Sequence, residues 1–138
     1  MLRSIPLQDI MTKKLITLHP KDKMLRVKEI FEDFNIHHIP VVVAGDVVGI
    51  ISKTDFNLLN HISDNSYDKF IQTKLFITHT VDEYMTTLVY CLTATNTVGD
   101  AIDIFLENKI SCLPIIDGKK IIGIVTPFDV MRIIDTIK

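Results

Sequence analysis

Apolar residues follow two different periods along this chain, and the switch between them occurs twice. Met24, Val27, Ile30, Phe31 and Phe34 recur at spacings of three and four, which predicts one buried face of a helix. Two β-branched runs follow, Ile39 to Val43 and Val47 to Ile51, and the glycine between them at position 45 predicts a hairpin. Val98, Ala101, Ile102 and Phe105 draw the helical stripe again, and Leu113 to Ile116 and Ile121 to Val125 draw the hairpin again around Gly118. The strand runs barely alternate in polarity, so both sheet faces are expected to be covered, one by helices and one by a partner sheet.

Each hairpin runs into a helix start. Ser52 suits an N-cap with Asp55 at N3, and Phe56, Leu58 and Leu59 supply apolar positions beyond it. In the second copy Thr126 takes the cap and Pro127 falls at N1, where its missing N–H does no harm. Short segments around Leu15 to Leu18 and Val89 to Leu92 are candidates for an extra strand in each copy. A polar turn and a helix from Tyr67 onward are expected between the copies.

A single offset relates the two halves. Met11 and Met85, Thr12 and Thr86, Ile30 and Ile104, Pro40 and Pro114, Gly49 and Gly123, and Asp55 and Asp129 all stand 74 positions apart without a gap. Two copies at so long a period do not make a solenoid. They predict an α+β chain of two β-α-β-β-α units, residues 1–66 and 67–138, that bury a shared face.

Composition narrows the function classes. The chain has 138 residues, 47% of them hydrophobic, enough for one domain or two fused halves. A net charge of −2 with scattered Lys and Arg argues against a protein built to grip nucleic-acid backbone. The two cysteines form neither a CxxC pair nor a disulfide framework, and no run approaches the length of a membrane span. A soluble, cytoplasmic protein is expected. His37 and His38 are adjacent and would point to opposite faces of a strand, a poor metal site. No Gly-rich phosphate loop, nucleophile elbow or HExxH motif is present, so neither a catalytic nor a metal site is expected.

The hydroxyl-x-x-acid of each copy serves two chemistries, and the spacing leaves both open. It is a capping arrangement in which side chains satisfy the helix's own N–H groups. It is also a ligand-facing arrangement, because one carboxylate can accept hydrogen bonds from both hydroxyls of a ribose, with the helix start beside it for a phosphate.

The tandem IHHIPVVV…GIISKTD and ISCLPIID…GIVTPFD, each preceded by DIMT or EYMT, resembles a pair of cystathionine-β-synthase (CBS) domains over nearly the whole chain. The resemblance implies two repeats about a pseudo-twofold axis, with clefts that take adenosine-containing ligands such as AMP, ADP, ATP or S-adenosylmethionine. It implies no resident cofactor and no enzyme activity. What it suggests is a regulatory module that pairs into a homodimer and acts on an unidentified partner, or a scaffold whose clefts are vestigial. By the family pattern, Asp55 and Asp129 hold ribose, and Ser52 and Thr126 lie near phosphate with His37, His38 and Ser111. Ile16, Ile36, Tyr90 and Ile110 wall the adenine. The histidines point to a phosphorylated ligand beside Asp55 and a less charged one, or none, beside Asp129.

Overall fold

The protein is seen in a computed structural model that describes residues 1–64 and 69–136. The polar turn expected between the copies, the start of its helix at Tyr67 and the boundary between residues 66 and 67 lie outside the described residues. The chain forms two compact units. One contains Ile16–Ala44 and Val48–Leu88, and the other Met1–Leu15, Gly45–Val47 and Val89–Lys138.

In the first of these, helix α1 (Met24–Asp33) precedes strands β1 (His38–Val43) and β2 (Asp46–Ser52), followed by α2 (Lys53–Asp64) and α3 (Lys69–Thr78). The helical stripe is buried as its spacing requires, with Met24, Val27, Ile30 and Phe31 in the core beside Ile39, Val41 and Ile51. Phe34 departs from it. The helix closes one residue earlier, Phe34 becomes an extended C-cap, and its ring stays half exposed. Phe56 joins Phe31 and Phe76 in a tilted aromatic cluster with centroids 5.5 and 5.9 Å apart, whereas Leu58 faces outward. The β1–β2 loop places both Ala44 and Gly45 at positive φ, the backbone a two-residue hairpin of the I′ kind demands. Around Leu15 to Leu18 the described backbone makes one parallel bridge, Leu18 to Val41, rather than a strand.

In the second unit, β3 (Leu92–Thr93) runs parallel to β4 (Leu113–Asp117), which pairs antiparallel with β5 (Lys120–Val125). Helix α4 (Val98–Asn108) starts on a capping box, Thr97 Oγ1 accepting from the Asp100 N–H and the Asp100 carboxylate from the Thr97 N–H. Helix α5 (Pro127–Thr136) follows β5. Leu7, Val98, Ala101, Leu113, Ile115, Val125 and Val130 form this unit's own core, with Ile102 and Phe105 packed against it.

The folded units are not the linear repeats. The segment that opens each copy packs with the hairpin of the other. Met11 and Thr12 lie on Gly123, where Thr12 exchanges backbone hydrogen bonds of 2.9 and 3.0 Å with Ile124. Met85 and Thr86 lie on Gly49 in the same way, with bonds of 2.8 and 3.0 Å to Ile50. Leu7 sits in the core of Val98 and Leu113, while Val81, 74 positions later, sits in the core of Val27 and Ile39. Pro6 bridges Thr97, and Thr80 bridges Lys23. Glycine is required at 49 and 123 because a β-carbon there would meet the methionine sulfur and a backbone carbonyl.

Candidate functional site

Two constellations contain the acids expected to carry function, one in each unit. In the unit of Ile16–Ala44 and Val48–Leu88, β2 ends at Ser52 and hands the chain to α2, whose first turn presents Asp55. Ser52 N–H donates to Asp55 Oδ2 at 2.9 Å, and Asp55 N–H donates to Ser52 Oγ at 3.0 Å. The capping arrangement is therefore formed. It engages one carboxylate oxygen, and no protein donor reaches Asp55 Oδ1 among the described residues. Asp55 is half-buried.

His38 belongs to the same neighbourhood. Burial pushes its imidazole below the ordinary histidine range, His37 pushes the same way, and the Asp55 carboxylate pulls weakly against them. His37 is exposed and its carbonyl accepts the Lys53 N–H at 2.8 Å. That bond and the Ser52 hydroxyl occupy two of the helix-start N–H groups that the sequence reading left for phosphate. Ile16 and Ile36, partly buried, pack against this unit's core.

The other constellation differs. Asp129 is buried, and its carboxylate is surrounded by donors. Oδ2 accepts the Thr126 N–H at 2.8 Å and the Thr126 hydroxyl at 3.4 Å. Oδ1 accepts the Thr12 hydroxyl at 3.1 Å and the Arg132 guanidinium. Four donors match the four lone-pair sites of a carboxylate. Cys112, buried beside it, has its thiol pushed up to about 12, by burial first and then by the Asp129 and Cys91 charges. Ile110 packs on the core, Ser111 is exposed, and Tyr90 stands 40% exposed rather than in the core.

The structure thus brings together Ser52, Asp55 and the two histidines in one place, and Thr126 and Asp129 in another. Reading the sequence missed Thr12 and Arg132. Thr12 stood in plain sight inside the repeated Met-Thr pair. Arg132 stands three residues after Asp129 on a helix, the spacing at which side chains meet, and its repeat-one counterpart is Leu58. Among the described residues no group of three His, Cys, Asp or Glu side chains could hold a metal ion, and no helix is long and apolar enough to cross a membrane.

Two α+β units with exchanged opening segments, each ending its hairpin on a hydroxyl-capped carboxylate, define a duplicated half-domain module. The CBS domain profile matches residues 7–58 and 81–136, and the chain belongs to the CBS domain family. Its fold is that of a CBS domain pair. The CBS domain pair of protein MJ0100, solved in complex with 5′-methylthioadenosine and S-adenosyl-L-methionine, is 27% identical, with a TM-score of 0.77 over 96% of this chain and 98% of that one. CBSX2 in complex with AMP is 25% identical, with a TM-score of 0.79 over 96% of this chain and 98% of that one. Inosine-5′-monophosphate dehydrogenase of Methanocaldococcus jannaschii is 29% identical over 126 residues, 90% of this chain and 22% of the enzyme. The chain spans about a fifth of the length of the first curated relatives it matches.

Proposed function

We propose that this CBS pair is a non-enzymatic regulatory module that binds an adenine nucleotide or another adenosine derivative, with the ribose held by Asp55. The observation that carries this reading is the oxygen left over at Asp55. After the cap has taken Oδ2, Oδ1 is available to a sugar hydroxyl, and a ribose diol can share the carboxylate with Ser52. His38 and His37 stand beside it to meet a phosphate, Ile16 and Ile36 provide an apolar wall, and solved relatives hold AMP, 5′-methylthioadenosine and S-adenosylmethionine. Free Cys91 and Cys112 suit a reducing compartment such as the cytoplasm.

Signalling requires a ligand that prefers one arrangement of the protein or its assembly over another. The candidate surface for a homodimer is α5, where Phe128, Met131 and Ile134 are more than half exposed. Their repeat-one counterparts are the polar Thr54, Asn57 and Asn60, so this stripe on α5 has no match at the aligned positions of α2. Met131→Glu is expected to convert a dimer to monomer in light scattering.

A thermal-shift panel with AMP, ADP, ATP and S-adenosylmethionine tests the ligand reading. At about a hundred times its dissociation constant a ligand adds about 2.7 kcal/mol, a shift of several degrees. No shift with any of the four, together with a melting temperature that rises with protein concentration, would instead favour a scaffold with vestigial sites.

A further inference from the structure

We propose that Arg132 is the residue that sets ligand charge at the Asp129 constellation, acting as a latch on the carboxylate; this rests on the nucleoside-binding reading above. Asp129 differs from Asp55 in having no oxygen to spare. Its side chain is 1% exposed and its four acceptor positions are filled by Thr12, Thr126 N–H, Thr126 hydroxyl and Arg132. A ribose cannot use this acid until a donor leaves. Thr126 N–H is fixed by the helix start, and the Thr12 and Thr126 hydroxyls, though free to rotate away, carry no charge with them, so none of these can tie access to the charge of the ligand. Arg132 can. Its side chain is 66% exposed and swings on a long flexible stem.

Charge then decides which ligands succeed. At rest the buried carboxylate is balanced by the guanidinium. A neutral nucleoside that displaces Arg132 breaks this pair and gives the guanidinium nothing in return. A nucleotide brings its own anion, and the guanidinium, released within reach of the ribose, takes the phosphate in a bidentate contact. The exchange of one ion pair for another conserves charge only for the anionic ligand. The sequence reading, without Arg132, expected a less charged ligand or none here; the guanidinium argues instead for an anionic one.

The test titrates AMP and adenosine calorimetrically in an Asp55→Ala background, which confines ribose binding to Asp129, with Arg132 intact and as Arg132→Gln. Circular dichroism melts establish that each variant is folded, and Asp55→Asn, which keeps an oxygen for the Ser52 N–H, replaces Asp55→Ala if the latter is not. With Arg132 present, AMP is expected to bind at least about tenfold more tightly than adenosine. Arg132→Gln should bring the two within about threefold, weakening AMP and strengthening adenosine together. An unchanged ratio with both ligands bound would overturn the latch and leave the nucleoside reading standing. Failure of both ligands to bind any variant would overturn the nucleoside reading of this constellation, and the latch with it.

Discussion

Adding a methyl group to Gly123 probes the exchange of opening segments on which both constellations depend. A β-carbon at this position would lie 2.6 Å from Met11 Sδ, 2.9 Å from Met11 Cγ and 3.1 Å from the Thr12 carbonyl. The methionine can give way, because its side chain is flexible. The carbonyl cannot move cheaply, since it accepts the Ile124 N–H at 3.0 Å and its residue supplies the hydroxyl that reaches Asp129. Overpacking of this kind costs about 1–3 kcal/mol. For a chain of this length each kcal/mol corresponds to about 3–4 °C of melting temperature, so Gly123→Ala is expected to lower it by about 3–12 °C. Gly49→Ala should behave alike, with its β-carbon 2.7 Å from Met85 Sδ and 3.0 Å from the Thr86 carbonyl. Gly118→Asn is the control: it lies at φ +64° with nothing within 4 Å, and asparagine tolerates that backbone. Thermal melts by circular dichroism supply the numbers, and Met11→Ala should recover part of the Gly123→Ala loss by vacating the space. If both alanine variants melt within about 1 °C of the parent, Met11 and Met85 do not lie on these glycines and the exchanged arrangement is wrong.

Asp129→Ala should destabilise by about 2–4 kcal/mol, because it strands a buried Thr126 N–H and Thr12 hydroxyl, whereas Asp55→Ala loses one capping acceptor and costs about 1 kcal/mol; urea unfolding that reverses this order would contradict the difference between the two acids. His38 titrates below its ordinary value of 6.5, so in mild acid the unfolded chain binds more protons than the folded one. Stability should therefore rise with pH across the region just below that value and fall as the solution is acidified, and His38→Gln should flatten the dependence of melting temperature on pH. Cys112, buried with a thiol near 12, should resist iodoacetamide at pH 8 in the folded protein and react after unfolding, as read by peptide mass spectrometry.

Much of this architecture was legible in the residues, for identifiable reasons. The α1 stripe and the two β-branched hairpins carry their own periods, and Ser52-x-x-Asp55 and Thr126-x-x-Asp129 mark helix starts that the hydrogen bonds reproduce. The exchange of opening segments was not legible. Periodicity tells which face of a segment is buried but not against which copy, and nothing in the apolar character of Leu7 or Val81 says which core receives it. The inequality of the two acids escaped for a related reason. Matched motifs 74 residues apart look equivalent until Arg132, aligned with Leu58, is placed on the carboxylate. Phe34 was assigned to the buried stripe by spacing alone, but α1 ends at Asp33 and leaves it on an extended C-cap. Of the apolar positions that open α2, Leu58 faces outward.

Calorimetric titration of AMP and 2′-deoxy-AMP into the parent protein and Asp55→Ala tests the central claim most directly, because only a carboxylate that holds the diol distinguishes the two ligands. The account predicts that the parent prefers AMP, and that Asp55→Ala weakens the AMP binding step of the Asp55 constellation by at least about tenfold, so that any tight binding left has the lower stoichiometry of the Asp129 constellation alone. A folded Asp55→Ala variant with the parent's affinity, stoichiometry and preference would contradict it.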